Sequence, residues 1–268
     1  MSLFHLLILA LIQGITEFLP ISSSAHLALI HELGGPSGDA VALDVAVHLG
    51  SIVAVVLYFR ADVARVLAGL AALVRGRLEG AESRLALGLI LATIPAVLVG
   101  GVLAVTGWVD LLRNTQVIGW TMIVFGLALW WVHRTAPEAR AAEDWRLRDA
   151  LVMGLWQAVS LVPGVSRSGI TMTAARGLGF ERHSAARIAL LMSIPITLAT
   201  GGFLVMKLGR ADLGPTFWRD AALAAVLAFA AAYGALALMM RFLDRVSFTP
   251  YVVYRVVLGV VLLVWAYS

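Results

Sequence analysis

The chain has 268 residues, 61% hydrophobic and 13% charged, with a formal charge of +4. That balance excludes an ordinary soluble domain and implies an integral membrane protein. The absence of cysteine excludes a disulfide framework, a thiol nucleophile and a Cys-based metal site. Nineteen of the 20 basic residues are arginines lying mostly in short loops between apolar runs, a pattern unlike a nucleic-acid binder.

In chain order, the first unit covers residues 1 to about 31. A helix over about Leu3–Leu19 carries Gln13 and Glu17, Pro20 breaks it, and a second short arm carries Ser22, Ser23, Ser24 and His26. Each arm is too short or too polar to cross about 30 Å of hydrocarbon, which needs about 20 apolar residues. A re-entrant hairpin is therefore expected. The run also lacks a basic leader region, so it is not read as a cleaved signal peptide. A span follows at about Val41–Phe59, with Asp44 and His48 near its start. Residues 60–84 read as an amphipathic surface helix on an anionic leaflet. Spans are expected at about Leu85–Val105, with Pro95 inside, and at about Val117–Val132. Residues 134–146 read as a linker.

The second half, about 147–268, repeats this plan. Leu147–Arg176 forms a second hairpin broken at Pro163-Gly164, and spans follow at about Ile188–Met206, Asp220–Met240 and Tyr251–Tyr267. At an offset of 144, Gln13, Ser22 and Ser24 fall on Gln157, Ser166 and Ser168. A second echo, at offset 100, sets Thr93-Ile94-Pro95 against Ser193-Ile194-Pro195. The expected fold is thus all-α: one membrane domain of six transmembrane helices and two re-entrant helical hairpins in an inverted-topology repeat, the first repeat covering about 1–133. Fourteen basic residues fall on one side of these spans and four (Arg113, Lys207, Arg210 and Arg219) on the other. The richer side is cytoplasmic by the positive-inside rule, so both termini are expected in the periplasm. The two breaks then meet near the midplane.

An arginine near the bilayer centre costs about 2.5–3.5 kcal/mol, so Arg167 implies a bound anion. Hydroxyls and free amides beside a helix break suit a phosphate. Glu17 alone would repel a pyrophosphate and so implies a divalent cation, Mg²⁺ or Ca²⁺, between them. Gln13 and Glu17, Ser22 and His26, and Arg167 and Thr171 are each spaced i, i+4, on one helical face. The expected catalytic residues are Glu17, Ser22, His26, Ser166 and Arg167. Gln13, Ser23, Ser168 and Thr171 are expected to bind substrate, and Glu17 with Gln13 to hold the metal. Asp44 and His48 are placed behind them. Ser22 with His26 as base, Ser166, and direct attack by water are the candidate nucleophiles. Arg167 is read as a substrate contact rather than a helix-break cap paired to Glu17. Arg255 is expected to be a buried ion-pair partner or a snorkelling residue.

Gln13-x-x-x-Glu17 with Pro20-Ile-Ser-Ser-Ser-Ala-His26, and Pro163-Gly-Val-Ser-Arg-Ser-Gly169 with Thr171, closely resemble the two signature motifs of the bacterial undecaprenyl-diphosphate phosphatase, or bacitracin-resistance, family. Asp44-Val-Ala-Val-His48-Leu-Gly and Tyr254-Arg255 extend the resemblance. It implies an inner-membrane, multi-pass enzyme that removes the terminal phosphate of a polyprenyl diphosphate lipid, recycles the carrier for peptidoglycan synthesis and confers bacitracin resistance. It also implies divalent-metal dependence and a site open to the periplasm. The first motif allows Glu or Gln at its first position, here Gln13, and Ser24-Ala25 stands where the family usually has Thr-Gly, a mild departure. A homodimer is a further expectation. The alternative is an inverted-repeat transporter or flippase for a phosphorylated lipid.

Overall fold

The computed structural model describes residues 3–34, 40–208, 215–243 and 245–268; Arg210 of the charge count lies outside them. Among the described residues the fold is all-helical: α1 (Leu3–Phe18), α2 (Ser23–Gly34), α3 (Ala40–Tyr58), α4 (Arg60–Val74), α5 (Ala81–Thr106), α6 (Trp108–Leu112), α7 (Thr115–Thr135), α8 (Leu147–Val159), α9 (Arg167–Gly177), α10 (Arg182–Leu208), α11 (Pro215–Phe242) and α12 (Thr249–Tyr267). Five helices (α5, α7, α10, α11 and α12) are long and apolar enough to cross a membrane, and a sixth span is possible if α3 and α4, bent by 90° at Phe59, count as one. Large apolar side chains such as Val105, Met206 and Val264 face outward, as expected where lipid replaces water around the bundle.

The two halves are built alike at their breaks. Pro20 disfavours the helical conformation of the residue before it, so α1 ends at Phe18 and the chain re-enters helix at Ser23. Likewise α8 stops at Val159, and α9 starts after Pro163-Gly164. Each arm is short, 16 and 12 residues in the first half and 13 and 11 in the second.

Small residues set the helix packing. A Cβ built on Gly14 of α1 would lie 2.6 Å from the Ala228 carbonyl of α11, and one on Gly154 of α8 would lie 2.6 Å from the Ala92 carbonyl of α5. Between α7 and α12, Gly119 and Gly259 face one another's carbonyls in the same way, at 3.1 and 2.8 Å. Close approach at small residues is the usual way membrane helices gain packing energy without a hydrophobic drive. The offset-100 echo aligns α5 with α10. By packing, however, α5 stands to α8 as α11 stands to α1.

One expectation is corrected. Residues 60–84 are not one surface helix: α4 ends at Val74, a turn follows, and α5 begins at Ala81. Asp62 of α4 is buried and accepts bonds of 2.5 and 3.0 Å from Arg187 of α10, which also reaches Glu143 at 2.9 Å. Residues 134–146 are more than a connector. Arg140 holds Asp149 at 2.5 Å and the Leu178 carbonyl at 3.0 Å, and its guanidinium lies 4.1 Å over the Phe180 ring. Arg176, fully buried at the end of α9, bonds the carbonyls of Ala136, Pro137 and Phe180. The segment is thereby fastened to the α9–α10 turn.

Candidate active site

Both breaks arrive at one place. The Ser168 hydroxyl donates to the Leu19 carbonyl at 2.9 Å, and Arg167 bridges Glu17 of α1 and Thr197 of α10. Ser22 and Ser166 both take a left-handed backbone conformation, with φ 73° and 71°, uncommon for residues other than glycine. The turns place the N-termini of α2 and α9 at the junction, and the positive end of a helix dipole favours an anion.

Glu17 is the hub. Its Oε1 accepts from Arg167, and its Oε2 accepts from Gln13 Nε2 at 2.9 Å and from the Ser23 hydroxyl at 2.6 Å. His48 Nε2 stands 3.8 Å from the same oxygen, with Nδ1 fixed 2.6 Å from the Asp44 carbonyl. The carboxylate is therefore buried but fully compensated, the condition under which a buried charge is tolerable.

The structure brings together Gln13, Glu17, Ser22, Ser23, Ser166, Arg167 and Ser168. Ser22 does not face His26. Its hydroxyl lies 3.1 Å from that of Ser24, while His26 Nδ1 lies 2.7 Å from the Ser22 carbonyl. The cause is that α2 starts at Ser23, so the i, i+4 relation runs along the helix backbone rather than between side chains. Ser166 caps α9, accepting from Gly169 N–H at 3.1 Å. Thr171 is fully buried and bonds back to the Arg167 carbonyl at 2.7 Å. Of the serines here, Ser23 is the one that reaches a carboxylate among the described residues.

Three contributors carried little signal in the sequence. Thr197, just past Pro195, receives Arg167. Tyr254 meets His26 Nε2 at 2.5 Å. Arg255 is fully buried, so it does not snorkel, and among the described residues it has no ion pair. It bonds the carbonyls of Val165 at 2.9 Å, Gly164 at 3.1 Å and Met122 at 3.2 Å, with Thr121 and Pro20 further out at 3.4 and 3.5 Å. One guanidinium thus ties both breaks to α7. Its adjacency to Tyr254 was the available hint.

A divalent metal fits this donor set. The Gln13 Oε1 atom is buried beside Glu17 with no hydrogen-bond partner among the described residues, and hard cations take one or two protein oxygens plus substrate phosphate. No cluster of three His, Cys, Asp or Glu exists among the described residues.

A polytopic helical membrane protein whose two broken hairpins converge on a buried carboxylate–guanidinium site is the class defined here. The model of the family described as bacitracin resistance protein BacA matches residues 6–261, and the chain belongs to that family. It is 56% identical over 272 residues to the undecaprenyl-diphosphatase of Ruegeria pomeroyi and 54% identical over 268 residues to that of Dinoroseobacter shibae, in both cases over 100% of either chain. The undecaprenyl-diphosphatase of Hahella chejuensis is 45% identical, over 100% of this chain and 99% of its own.

Proposed function

We infer that this chain is an undecaprenyl-diphosphatase, a membrane hydrolase that converts undecaprenyl diphosphate to undecaprenyl phosphate and inorganic phosphate and so serves cell-wall synthesis and bacitracin resistance. The observation that carries the reading is the Arg167–Glu17 contact joining the two breaks, in a chain similar along its whole length to proteins of that name.

The geometry supports a two-step route. Glu17 accepts the Ser23 proton as Ser23 Oγ bonds to the terminal phosphorus, and the bond from that phosphorus to the bridging oxygen breaks. Undecaprenyl phosphate leaves. Water then attacks the phosphoserine, His26 receives the water's proton, and Glu17 returns its proton to Ser23 Oγ as phosphate departs. Arg167 offsets the phosphate charge through charge-assisted bonds, exchanging its hold on Glu17 for the substrate. Gln13 Oε1 and Glu17 would hold the divalent cation, which supplies charge neutralisation and polarisation of the phosphoryl oxygens.

The finer architecture belongs to the same reading: six spans and two re-entrant hairpins in an inverted repeat, both termini periplasmic, and a site opening to that side of the inner membrane. The matching backbone at Ser22 and Ser166 and the equivalent packing of α1 and α8 support the repeat. The arginine asymmetry supports the orientation.

The test is phosphate release from undecaprenyl diphosphate by purified protein, with and without chelator, beside transport of the same lipid in vesicles. Chelator-sensitive release supports the enzyme and its metal. Headgroup translocation without release would establish a transporter instead.

A further inference from the structure

His26 has no free ring nitrogen. Nδ1 faces the Ser22 carbonyl, which only accepts, so Nδ1 carries a proton. Nε2 is 2.5 Å from the Tyr254 hydroxyl, and the two rings stack with 5.6 Å between centroids and 5° between planes. In neutral His26 the tyrosine therefore donates to Nε2. In the imidazolium form Nε2–H donates to the tyrosine oxygen. A hydroxyl satisfies both arrangements by rotating, and a carbonyl or an ammonium would satisfy only one.

The exposure of the pair adds direction. His26 is 9% exposed and Tyr254, on α12, is 43% exposed. His26 and Ser23 lie three residues apart on α2 and share a face. A proton moving between the junction and the imidazole must therefore pass through the atom that occupies Nε2.

We propose that Tyr254 is a further catalytic residue, the proton relay between the reacting water and His26. This rests on the phosphatase reading. As the water oxygen bonds to phosphorus, its proton passes to the tyrosine oxygen while the tyrosine's own proton passes to His26 Nε2. Tyr254 ends neutral and His26 ends as imidazolium, which returns the proton through the Tyr254 hydroxyl to the departing inorganic phosphate. No oxidant or other reactant is needed.

The experiment compares kcat and KM for undecaprenyl diphosphate in wild type, Tyr254→Phe, His26→Ala and the double variant. Tyr267→Phe, on the exposed end of the same helix, is the control. Phenylalanine keeps the stacked ring, so folding is preserved. The relay predicts that Tyr254→Phe lowers kcat by at least about tenfold with KM within about threefold of wild type. It also predicts that the double variant is no slower than His26→Ala, the signature of two residues acting as a unit. Wild-type kcat in Tyr254→Phe, or a double loss equal to the product of the single losses, overturns the relay. A wild type that releases no phosphate defeats the phosphatase reading instead. In that event the side-chain ¹⁵N spectrum of labelled histidine decides: an Nε2 resonance of His26 unmoved by Tyr254→Phe overturns the hydrogen bond and the proposal with it.

Discussion

Ser22 and Ser166, 144 positions apart, hold the same left-handed backbone conformation, and each hydroxyl lies within 3.2 Å of the hydroxyl two residues on. Ser166 uses its oxygen to cap α9. Loss of a serine cap to alanine costs about 1 kcal/mol, and to glycine only a few tenths. Glycine also removes the steric cost of φ 71°. Ser166→Gly should therefore melt higher in detergent than Ser166→Ala. Both should keep phosphate release within about an order of magnitude, because a capping oxygen need not react. Loss of release to background in both variants would make Ser166 the nucleophile.

Ser23 is the serine held by a carboxylate, at 2.6 Å from Glu17. Ser23→Ala should lower kcat by about 10³-fold or more, while Ser22→Ala loses much less. Acid quench of wild type during turnover should trap phosphate on Ser23, detected by mass spectrometry of the peptide. Equal losses at the two serines, with no trapped phosphate, would favour direct attack by water.

The orphaned Gln13 Oε1 gives the metal a handle. Gln13→Glu adds a second carboxylate and should lower the Mg²⁺ concentration for half-maximal release by about tenfold, whereas Gln13→Met should raise it. Measuring release against free Mg²⁺ checks both directions. An unchanged midpoint in both variants would remove Gln13 from the metal site.

Much of this site was legible because its members are expensive. A glutamate, an arginine and clustered serines inside apolar runs need a reason, and Pro20 and Pro163-Gly164 mark where the backbone is freed. Those costs point to both groups sharing one place, but they suggest a bound anion for Arg167, and the direct contact with Glu17 was not legible. Partners chosen by tertiary packing were not legible. Tyr254 lies 228 positions from His26, and Thr197 lies 30 from Arg167. A lone arginine on an apolar helix suggests a carboxylate, yet Arg255 found carbonyls left open by the breaks. Regular helix from Ser22 would set its side chain beside His26, but α2 begins one residue later, at Ser23.

Arg255 should behave as a clamp. Arg255→Met leaves the Gly164 and Val165 carbonyls without their guanidinium, and each buried unsatisfied group costs about 1–3 kcal/mol. Thermal stability and phosphate release should fall together in Arg255→Met. Arg255→Lys should recover only part of both, since an ammonium lacks the planar fork. A melting temperature equal to wild type in Arg255→Met would refute the clamp.

The central claim is that diphosphate hydrolysis happens where Arg167 meets Glu17. The most direct measurement is the rate of phosphate release from undecaprenyl diphosphate by wild type, Glu17→Gln and Arg167→Ala, each shown to be folded by its thermal transition in detergent. Glutamine keeps the shape of Glu17 and removes its charge and basicity. The account predicts chelator-sensitive release in wild type and losses of at least about 10²-fold in both variants. Release by folded Glu17→Gln and Arg167→Ala at close to the wild-type rate would contradict it and place the chemistry elsewhere in the chain.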